Sequence, residues 1–252
     1  DADLDRRGID RLSEELAGGD GLLLPLSEPE TPVSLVSELP SFAVEEPAER
    51  VLLRAEIAAD GAARLELDTV LPGLQGEQLL NQVRSLPADR VGLVYQQMAG
   101  SLFPGATRVT GEVERAERGV ALRLVLDLPG ACELVGLEME CRSLVLSKPL
   151  VPALASLPER RTPLVLGVAV RQWLELELVP PPGWQASWRP RRLETPWGSL
   201  VETLEEDAAG VRSMVRLELP AQRIATADYP TFTRFCHAID ELAARPPRLR
   251  RR

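Results

Sequence analysis

An alternation of apolar and charged residues that begins at Val51 constrains the fold of this chain more than any other feature of its sequence. The stretch VLLRAEIAADGAARLELDTVL, residues 51–71, places apolar side chains at every second position on both sides of Asp60 and Gly61. Successive side chains of a strand point to opposite faces of a sheet, so this period of two predicts two strands with one buried face. Asp-Gly is typical of two-residue hairpin turns, because both positions tolerate a positive φ. The stretch therefore predicts a β-hairpin.

Two further hairpins are predicted downstream by the same alternation. In residues 108–131 the turn falls near residues 117–119, and in residues 197–220 it falls at Ala209 and Gly210. Residues 134–147 predict one more strand region, and residues 164–184 predict two strands or one long bent strand. This order of elements favours antiparallel sheets over the regular alternation of strands and helices that builds parallel ones.

Two segments change to a helical period. Between residues 75 and 101 apolar residues recur at steps of three and four, and Pro87 suits the first turn of a second helix. Residues 228–245 carry an apolar stripe that predicts an amphipathic helix near the end of the chain. The stripe comprises Tyr229, Phe232, Phe235, Cys236, Ile239 and Leu242.

Proline-rich stretches divide the chain. Residues 1–49 are interpreted as a proline-rich, extended connecting segment, with one edge strand as an open alternative, because proline removes a donor from a sheet. A second proline-rich stretch, residues 148–163, marks a boundary. The predicted fold is mainly β, with two antiparallel β-sandwich-like domains. The first spans residues 50–150 with a helical insertion at 75–101, and the second spans residues 151–252 and is closed by the C-terminal helix.

Charge and hydropathy exclude two classes of protein. The formal net charge of −9 argues against a nucleic-acid binder, since such domains carry a basic face. No apolar run approaches the roughly 20 residues of a membrane-spanning helix, so no span is expected. The terminal ARPPRLRRR is interpreted as a frayed, solubilising tail, with contact to an anionic lipid or an acidic partner as the alternative.

Cys236 and His237, the only histidine, are adjacent on the predicted terminal helix. A catalytic Cys–His pair needs its thiol and imidazole within hydrogen-bond reach. Neighbouring residues of a helix point about 100° apart, so this pair is interpreted as structural. Cys236 belongs to the apolar stripe, and His237 belongs to the solvated flank.

No other motif predicts a catalytic, cofactor or metal site. The three cysteines lack metal-ligand spacing; buried free thiols are expected, and a bridge between Cys132 and Cys141 stays open as the alternative. The acidic runs at residues 44–50 and 204–210 flank linkers or turns, where solvated carboxylates are expected. The chain contains neither a phosphate-binding glycine loop nor a serine nucleophile elbow.

Four tryptophans fall within 25 residues of one another: Trp173, Trp184, Trp188 and Trp197. Their position in a β-rich region favours a role in the core or at a domain interface. The alternative is an aromatic platform that contacts a partner, since tryptophan combines a large apolar surface with a polar tip. These four residues are the predicted partner-contact candidates.

Several segments, in order, resemble the C-terminal region of bacterial transglutaminase-like proteins, whose papain-like core is flanked by β-rich domains of unknown function. They are ADGAARLELDTVLPGLQGEQLLNQVRSL, ERRTPLVLG, ELELVPPPGW and RIATADYPTFTRFCHAIDELA, and the resemblance extends over roughly residues 50–245. The resemblance implies a catalytic Cys, His and Asp in a core upstream of this region, with Asp1 or Asp3 at the end of its acid motif. Cys132, Cys141 and His237 do not match that triad.

The sequence therefore favours a non-catalytic accessory module that binds or scaffolds proteins and belongs to a bacterial envelope-associated protein. One alternative is the C-terminal part of a transglutaminase-like or cysteine-protease-like enzyme whose core lies upstream. Another is a structural subunit of an envelope assembly. The expected partners are proteins, either the upstream core or other envelope subunits, contacted at sheet edges or at the tryptophans. The resemblance implies export to the bacterial cell envelope, so the expected location is the periplasm.

Overall fold

A computed structural model of the chain describes residues 20–22, 36–38, 49–71, 73–117, 119–146, 148–167, 169–207 and 210–252. The predicted connecting segment 1–49, including Asp1 and Asp3, lies almost wholly outside these residues. Two short strands within it, β1 (Asp20–Leu22) and β2 (Val36–Glu38), pair with each other in antiparallel fashion.

The remaining strands and the helices follow in chain order. The strands are β3 Glu49–Ile57, β4 Ala63–Leu71, β5 Thr107–Ala116, β6 Gly119–Leu128, β7 Glu133–Val135, β8 Glu138–Glu140, β9 Leu164–Leu166, β10 Val170–Val179, β11 Trp184–Ala186, β12 Arg192–Thr195, β13 Gly198–Glu206, β14 Val211–Leu219, β15 Gln222–Ile224 and β16 Arg248–Arg251. The described helices are α1 Gly73–Ser85, α2 Ala88–Leu102, α3 Leu150–Leu154 and α4 Tyr229–Ala243. The mainly-β prediction, with its helical insertion and its C-terminal helix, is confirmed.

The predicted hairpin around Asp60 and Gly61 is β3–β4. Gly61 has a φ of +85°, and the Asp60 carboxylate accepts a hydrogen bond from the amide of Ala62 at 3.0 Å. A Cβ at Gly61 would lie 2.2 Å from the carbonyl oxygen of Cys132, so the turn needs glycine for space as well as for backbone conformation. The β5–β6 and β13–β14 hairpins follow the other two predicted alternations.

One large sheet contains eight strands in the order β12-β13-β14-β10-β3-β4-β6-β5. The prediction of purely antiparallel sheets is wrong at one place, because β3 and β10 pair in parallel. Parallel neighbours need a long crossover, and the 112 residues between Ile57 and Val170 provide it. Alternation within a strand cannot reveal this pairing. The sheet is therefore continuous across residue 150, and the two-domain division stays a prediction.

Two clusters of buried side chains lie on one face of this sheet. The first joins β3, β4 and β6 to α1 and α2, and it includes Leu53, Leu124 and Phe103, all fully buried. The second packs α3 and α4 against β13 and β14 around Phe232. Gly111 lets α2 approach β5 closely, since a Cβ there would lie 2.7 Å from the ring of Tyr95. One face of the sheet is thus covered by helices.

The basic end of the chain is not a frayed tail. Residues Arg248–Arg251 form β16, which lies between β11 and β8 in a four-stranded sheet ordered β11-β16-β8-β7. Leu249 is fully buried, and Arg248 bonds to Glu140 at 2.7 Å. The tail interpretation failed because it could not foresee that acidic β8 would lie beside the arginines.

Cys132 and Cys141 are bonded to each other, with an S–S distance of 2.03 Å, which corrects the expectation of free thiols. The residues between them form the β7–β8 hairpin, whose two-residue turn begins at Gly136 with a φ of +65°. The turn brings both ends of the hairpin together. The spacing of the two cysteines does not show such a turn, so the sequence could not decide whether they form a disulfide.

A buried ion pair joins one end of the main sheet to the end of α4. The Glu202 carboxylate accepts hydrogen bonds from Arg191 at 2.7 and 2.9 Å, and from the hydroxyl of Ser213 at 2.6 Å. Arg191 also donates to the carbonyl oxygens of Leu242 and Ala243 at the end of α4, at 3.0 and 3.2 Å. The pair lines a cavity of about 50 Å³. It links β13, β14 and the end of α4.

Candidate interaction surface

The four candidate tryptophans do not form one surface. All are half-buried: Trp184 and Trp188 pack against the first core cluster, and Trp197 packs against the second, edge-on to Phe232 at 6.1 Å. Trp173 lies beside Arg216, whose guanidinium is 5.0 Å from the indole ring centre. Direct contact between any of them and a partner stays a prediction.

Cys236 and His237 lie on different flanks of α4, as the helical spacing predicts. Cys236 is fully buried, whereas His237 is exposed. Burial, reinforced by the nearby charge of Asp240, raises the pKa of the Cys236 thiol to about 12. Asp240 itself accepts the amide hydrogens of Leu150 and Val151 at 2.7 and 3.0 Å, so it caps α3. Asp240 therefore connects α4 to the start of α3.

The acidic runs serve turns and linkers where the structure describes them. Asp207 accepts the amide hydrogen of Gly210 at 3.0 Å and closes the β13–β14 hairpin, and Glu205 and Glu206 are exposed. Most of the run at residues 44–50 lies outside the described residues. Within the described part of the chain, no three histidine, cysteine or acidic side chains gather in a way that would hold a metal ion. Among those same residues, no helix has the length and apolar character that crossing a bilayer requires.

The face of the eight-stranded sheet that the helices leave uncovered, here called the outer face, is polar. On β6 and β5 it carries Arg123, Glu112 and Glu114, which are all exposed. A groove of about 350 Å³ runs over this face and is lined by residues of β3, β4, β5 and β6. Arg123 bonds to Asp68 at 2.8 Å, and this bond, reinforced by Glu66 and Glu112, raises the pKa of Arg123.

The two larger sheets end in four edge strands, and only one of them is long. β12 has four residues, and β7 and β11 have three each, whereas β5 has ten. Short edge strands, and the prolines at positions 190 and 196 that flank β12, protect a sheet against further pairing. No strand among the described residues pairs with the other side of β5. β5 is therefore the longest open edge in the described structure.

The register of β5 shows which backbone groups are free. Ala116 pairs with Gly119 across a two-residue loop, so these two residues exchange hydrogen bonds, and the pairs alternate from there. Residues Gly111, Val113 and Arg115 consequently direct their N–H and C=O groups away from β6. A bulge at residues 108 and 109, where Arg108 has a φ of +49°, ends this free stretch on its N-terminal side.

The two arginines of β5 form ion pairs, whereas its two glutamates form none with a described residue. Arg115 bonds to Glu77 of α1 at 2.8 Å, and Arg108 bonds to Asp127 at 3.2 Å. Glu112 and Glu114 form no ion pair with any described residue, although Arg123 lies across from Glu112 in the register. The open edge therefore presents two exposed carboxylates on the outer face.

The sequence contained one signal for this edge. β5, unlike β6, lacks an apolar residue at every second position, because Gly111 and Arg115 occupy positions that face the helices. A strand with a weak apolar face is typical of a sheet edge. Which side of it stays unpaired depends on the order of strands, which alternation does not predict.

No protein-family model matches the chain, and no curated protein matches its sequence. Among solved structures, the chain shows a partial likeness to a crystal structure from Parabacteroides distasonis that is described as a "putative protease". The match has 17% sequence identity and a TM-score of 0.33, and it covers 38% of this chain and 20% of that one. The chain thus spans about a fifth of that protein, and a likeness of this extent assigns no activity to it.

Proposed function

We propose that this chain is a non-catalytic protein-binding module whose main sheet accepts an extended segment of a partner along β5. The observation that carries the proposal is the open side of β5, where Gly111, Val113 and Arg115 direct outward backbone groups that no described strand pairs. Such an edge is a template for another strand, since main-chain hydrogen bonds supply affinity and alternate side chains supply specificity.

The edge is held in its binding conformation before a partner arrives. β5 is paired along its length with β6, Tyr95 of α2 lies directly beneath Gly111, and Arg115 is anchored to Glu77 of α1. A preorganised edge loses little conformational freedom on binding. Helices support it from one face only, so the backbone groups of its free side remain accessible.

The proposed setting is the bacterial cell envelope, in the periplasm. The Cys132–Cys141 disulfide supports it, because disulfides persist in oxidising compartments and are rare in the cytosol. We further propose that the chain is the C-terminal β-rich region of a transglutaminase-like protein. This part rests on the order of the sequence motifs between residues 50 and 245, and it would make the module an accessory of an upstream core.

A site-specific photo-crosslinker tests the binding proposal. Placed at Thr110, beside the open edge, it is expected to capture a partner polypeptide in the native host. The same group at His237, exposed on α4, is the matched control and is expected to capture none. Equal capture at both positions, or capture at Thr110 that persists in a Val113→Pro variant, would contradict the proposal.

The family assignment has its own test. The intact mass and N-terminal sequence of the natural protein are measured after isolation from its host. A polypeptide larger than these 252 residues, with a Cys, His and Asp set in its upstream part, supports the assignment. A longer polypeptide without that set contradicts it and leaves the β5 proposal standing.

A further inference from the structure

The charges along β5 point to a basic partner strand, one that carries lysine or arginine at two positions separated by a single apolar residue. This inference rests on the proposed function and specifies the partner for the same edge. It commits to a polypeptide segment in extended conformation that is positively charged on one face.

The geometry of strand addition fixes which partner side chains matter. A strand that bonds to Gly111, Val113 and Arg115 alternates its own side chains between the two faces of the sheet. The positions opposite Glu112 and Glu114 then lie on the outer face, and the position between them lies opposite Val113. Directly opposed side chains interact across strands, and like charges there are unfavourable.

Two basic side chains would form direct ion pairs with carboxylates that form none among the described residues, although Arg123 lies across from Glu112. Asp68, Glu77 and Asp127 each pair with an arginine, whereas Glu112 and Glu114 pair with no described one. Both are exposed and lie on the same face of one strand. An acidic partner strand would add to their repulsion, and a basic one would relieve it.

The groove on the outer face can accommodate the methylene stems of the partner's basic side chains. Leu52, Val70 and Ala121 give it an apolar floor. Its charged margin carries Glu112 and Glu114, which form no ion pair with a described residue, and two arginines that are already paired, Arg50 with Glu175 and Arg123 with Asp68. Lysine and arginine lay their methylene stems on apolar surface while their charged heads meet carboxylates or water. The groove borders β5, so a basic side chain on an added strand reaches it directly.

The residue between the two basic positions is expected to be apolar. Val113 is half-buried and belongs to the rim of the first core cluster, on the face that α1 and α2 cover. The expected partner pattern is therefore basic–apolar–basic.

A second copy of this chain fits the edge less well. If two β5 strands paired antiparallel about Val113, Glu112 of each copy would lie opposite Glu114 of the other. If they paired about Glu112, that residue would lie opposite itself. Both registers place like charges together, which disfavours self-pairing and favours a basic partner.

Binding of short labelled peptides to the full chain tests the inference. The probes are a nine-residue peptide alternating lysine and valine, its glutamine and glutamate counterparts, and an isomer of the basic peptide with its lysines contiguous. Fluorescence anisotropy at physiological salt is expected to show the alternating basic peptide binding about 10-fold more tightly than the glutamine peptide, from one or two exposed charge pairs. The glutamate peptide and the contiguous isomer are expected to bind more weakly still.

Paired carboxylate variants locate the effect. Glu112→Gln with Glu114→Gln is expected to remove the 10-fold preference for the basic peptide. Glu205→Gln with Glu206→Gln changes the net charge equally on an exposed part of β13 and is expected to leave it unchanged. An equal loss in both double variants means attraction by net charge alone and overturns the inference.

Strand addition itself is read out separately. Val113→Pro removes an outward N–H group and is expected to abolish binding of every peptide, whereas Val113→Thr retains the donor and is expected to bind. If Val113→Pro misfolds, slower amide exchange at Gly111, Val113 and Arg115 on peptide binding gives the same information.

Basic and glutamine peptides that bind equally, with this protection from amide exchange present, overturn the basic preference and leave the proposed function intact. Binding without protection overturns both, and self-association of the free chain through β5 identifies a second copy as the occupant and overturns the basic partner.

Discussion

At the scale of single residues, Glu202 shows how a carboxylate is accommodated in the interior of this protein. Its side chain is 1% exposed and receives donors from Arg191, Ser213 and the backbone of Arg191. A buried charge is tolerated when its partner and additional hydrogen bonds replace water, and removing one partner leaves the other uncompensated. Three separate segments meet at this carboxylate.

Glu202→Gln is expected to lower the free energy of unfolding by about 3 kcal/mol, since it leaves the buried Arg191 guanidinium without its counter-charge. Urea unfolding monitored by circular dichroism measures the change. The matched control is Glu194→Gln, which removes an exposed partner of Arg192 at 2.9 Å and is expected to cost less than about 1 kcal/mol. Similar losses in both variants would mean that the buried pair contributes no more than a surface one.

Cys236 gives a second prediction at this scale. Because burial raises the pKa of its thiol to about 12, the thiol stays protonated at neutral pH and is expected to react with a thiol reagent only after unfolding. Labelling rates with and without urea check this. A thiol that reacts quickly in the folded protein, and slows in a His237→Ala variant, would contradict the structural interpretation of the pair.

The same raised pKa affects stability at high pH. The unfolded thiol loses its proton near its ordinary pKa, whereas the folded thiol keeps it up to about 12. The folded form therefore binds more protons in this window, and the contribution of Cys236 falls as pH rises from about 9 towards 12. The difference in unfolding free energy between wild type and Cys236→Ala is expected to shrink over this range.

At the scale of elements, the β7–β8 hairpin is closed by its own disulfide. The bridge spans nine positions in the sequence and limits the freedom of that loop in the unfolded chain. β8 carries Glu138 and Glu140, which meet Arg248 of β16. The bridge therefore helps to hold a sheet that the end of the chain completes.

Replacing both Cys132 and Cys141 by serine is expected to lower the free energy of unfolding by about 2–3 kcal/mol, from the entropy of a loop of this length. Thermal and urea unfolding measure the loss. A reducing agent is expected to bring the wild type to the same stability and to leave the double variant unchanged. An effect of the reductant on the variant would point to Cys236 or to another cause.

Elements that depend on local periodicity could be predicted from the sequence, and those that depend on spatial neighbours could not. The alternation of Leu53 and Leu65 with charged residues predicts the β3–β4 hairpin, and the stripe through Phe232 predicts α4. The disulfide, the strand at Leu249 and the open edge of β5 all follow from which strands lie side by side. That order is decided by long-range packing, so the sequence predicts contact at sheet edges without showing that β5 is the open edge, and contact at the tryptophans stays a prediction.

At the scale of the whole molecule, the parallel pair of β3 and β10 joins the two predicted domains into one sheet. Glu175 on β10 strengthens the joint, because it bonds to Arg50 of β3 at 3.3 Å and to Arg212 of β14 at 3.1 Å. A fragment of residues 49–150 lacks β10 and therefore exposes the edge of β3 that pairs with β10 in the full chain. It is expected to self-associate, whereas the full chain supplies the missing strand.

Sedimentation velocity and urea unfolding of the fragment, beside the full chain as control, check this prediction. A monomeric fragment with a cooperative unfolding transition would show that the first predicted domain is independent of β10. It would also support the proposed boundary at residue 150.

The β3–β10 pairing has a consequence for how the protein is made. Synthesis is vectorial, and domains generally fold as they emerge, the N-terminal ones first. β3 leaves the ribosome more than 100 residues before β10, at about 5–20 residues per second, so for many seconds one side of the growing sheet has no native neighbour. Nascent chains stalled at about residue 150 are expected to bind holding chaperones. Nascent chains stalled after residue 179 has emerged are expected to bind them no longer, because β10 then covers the edge of β3.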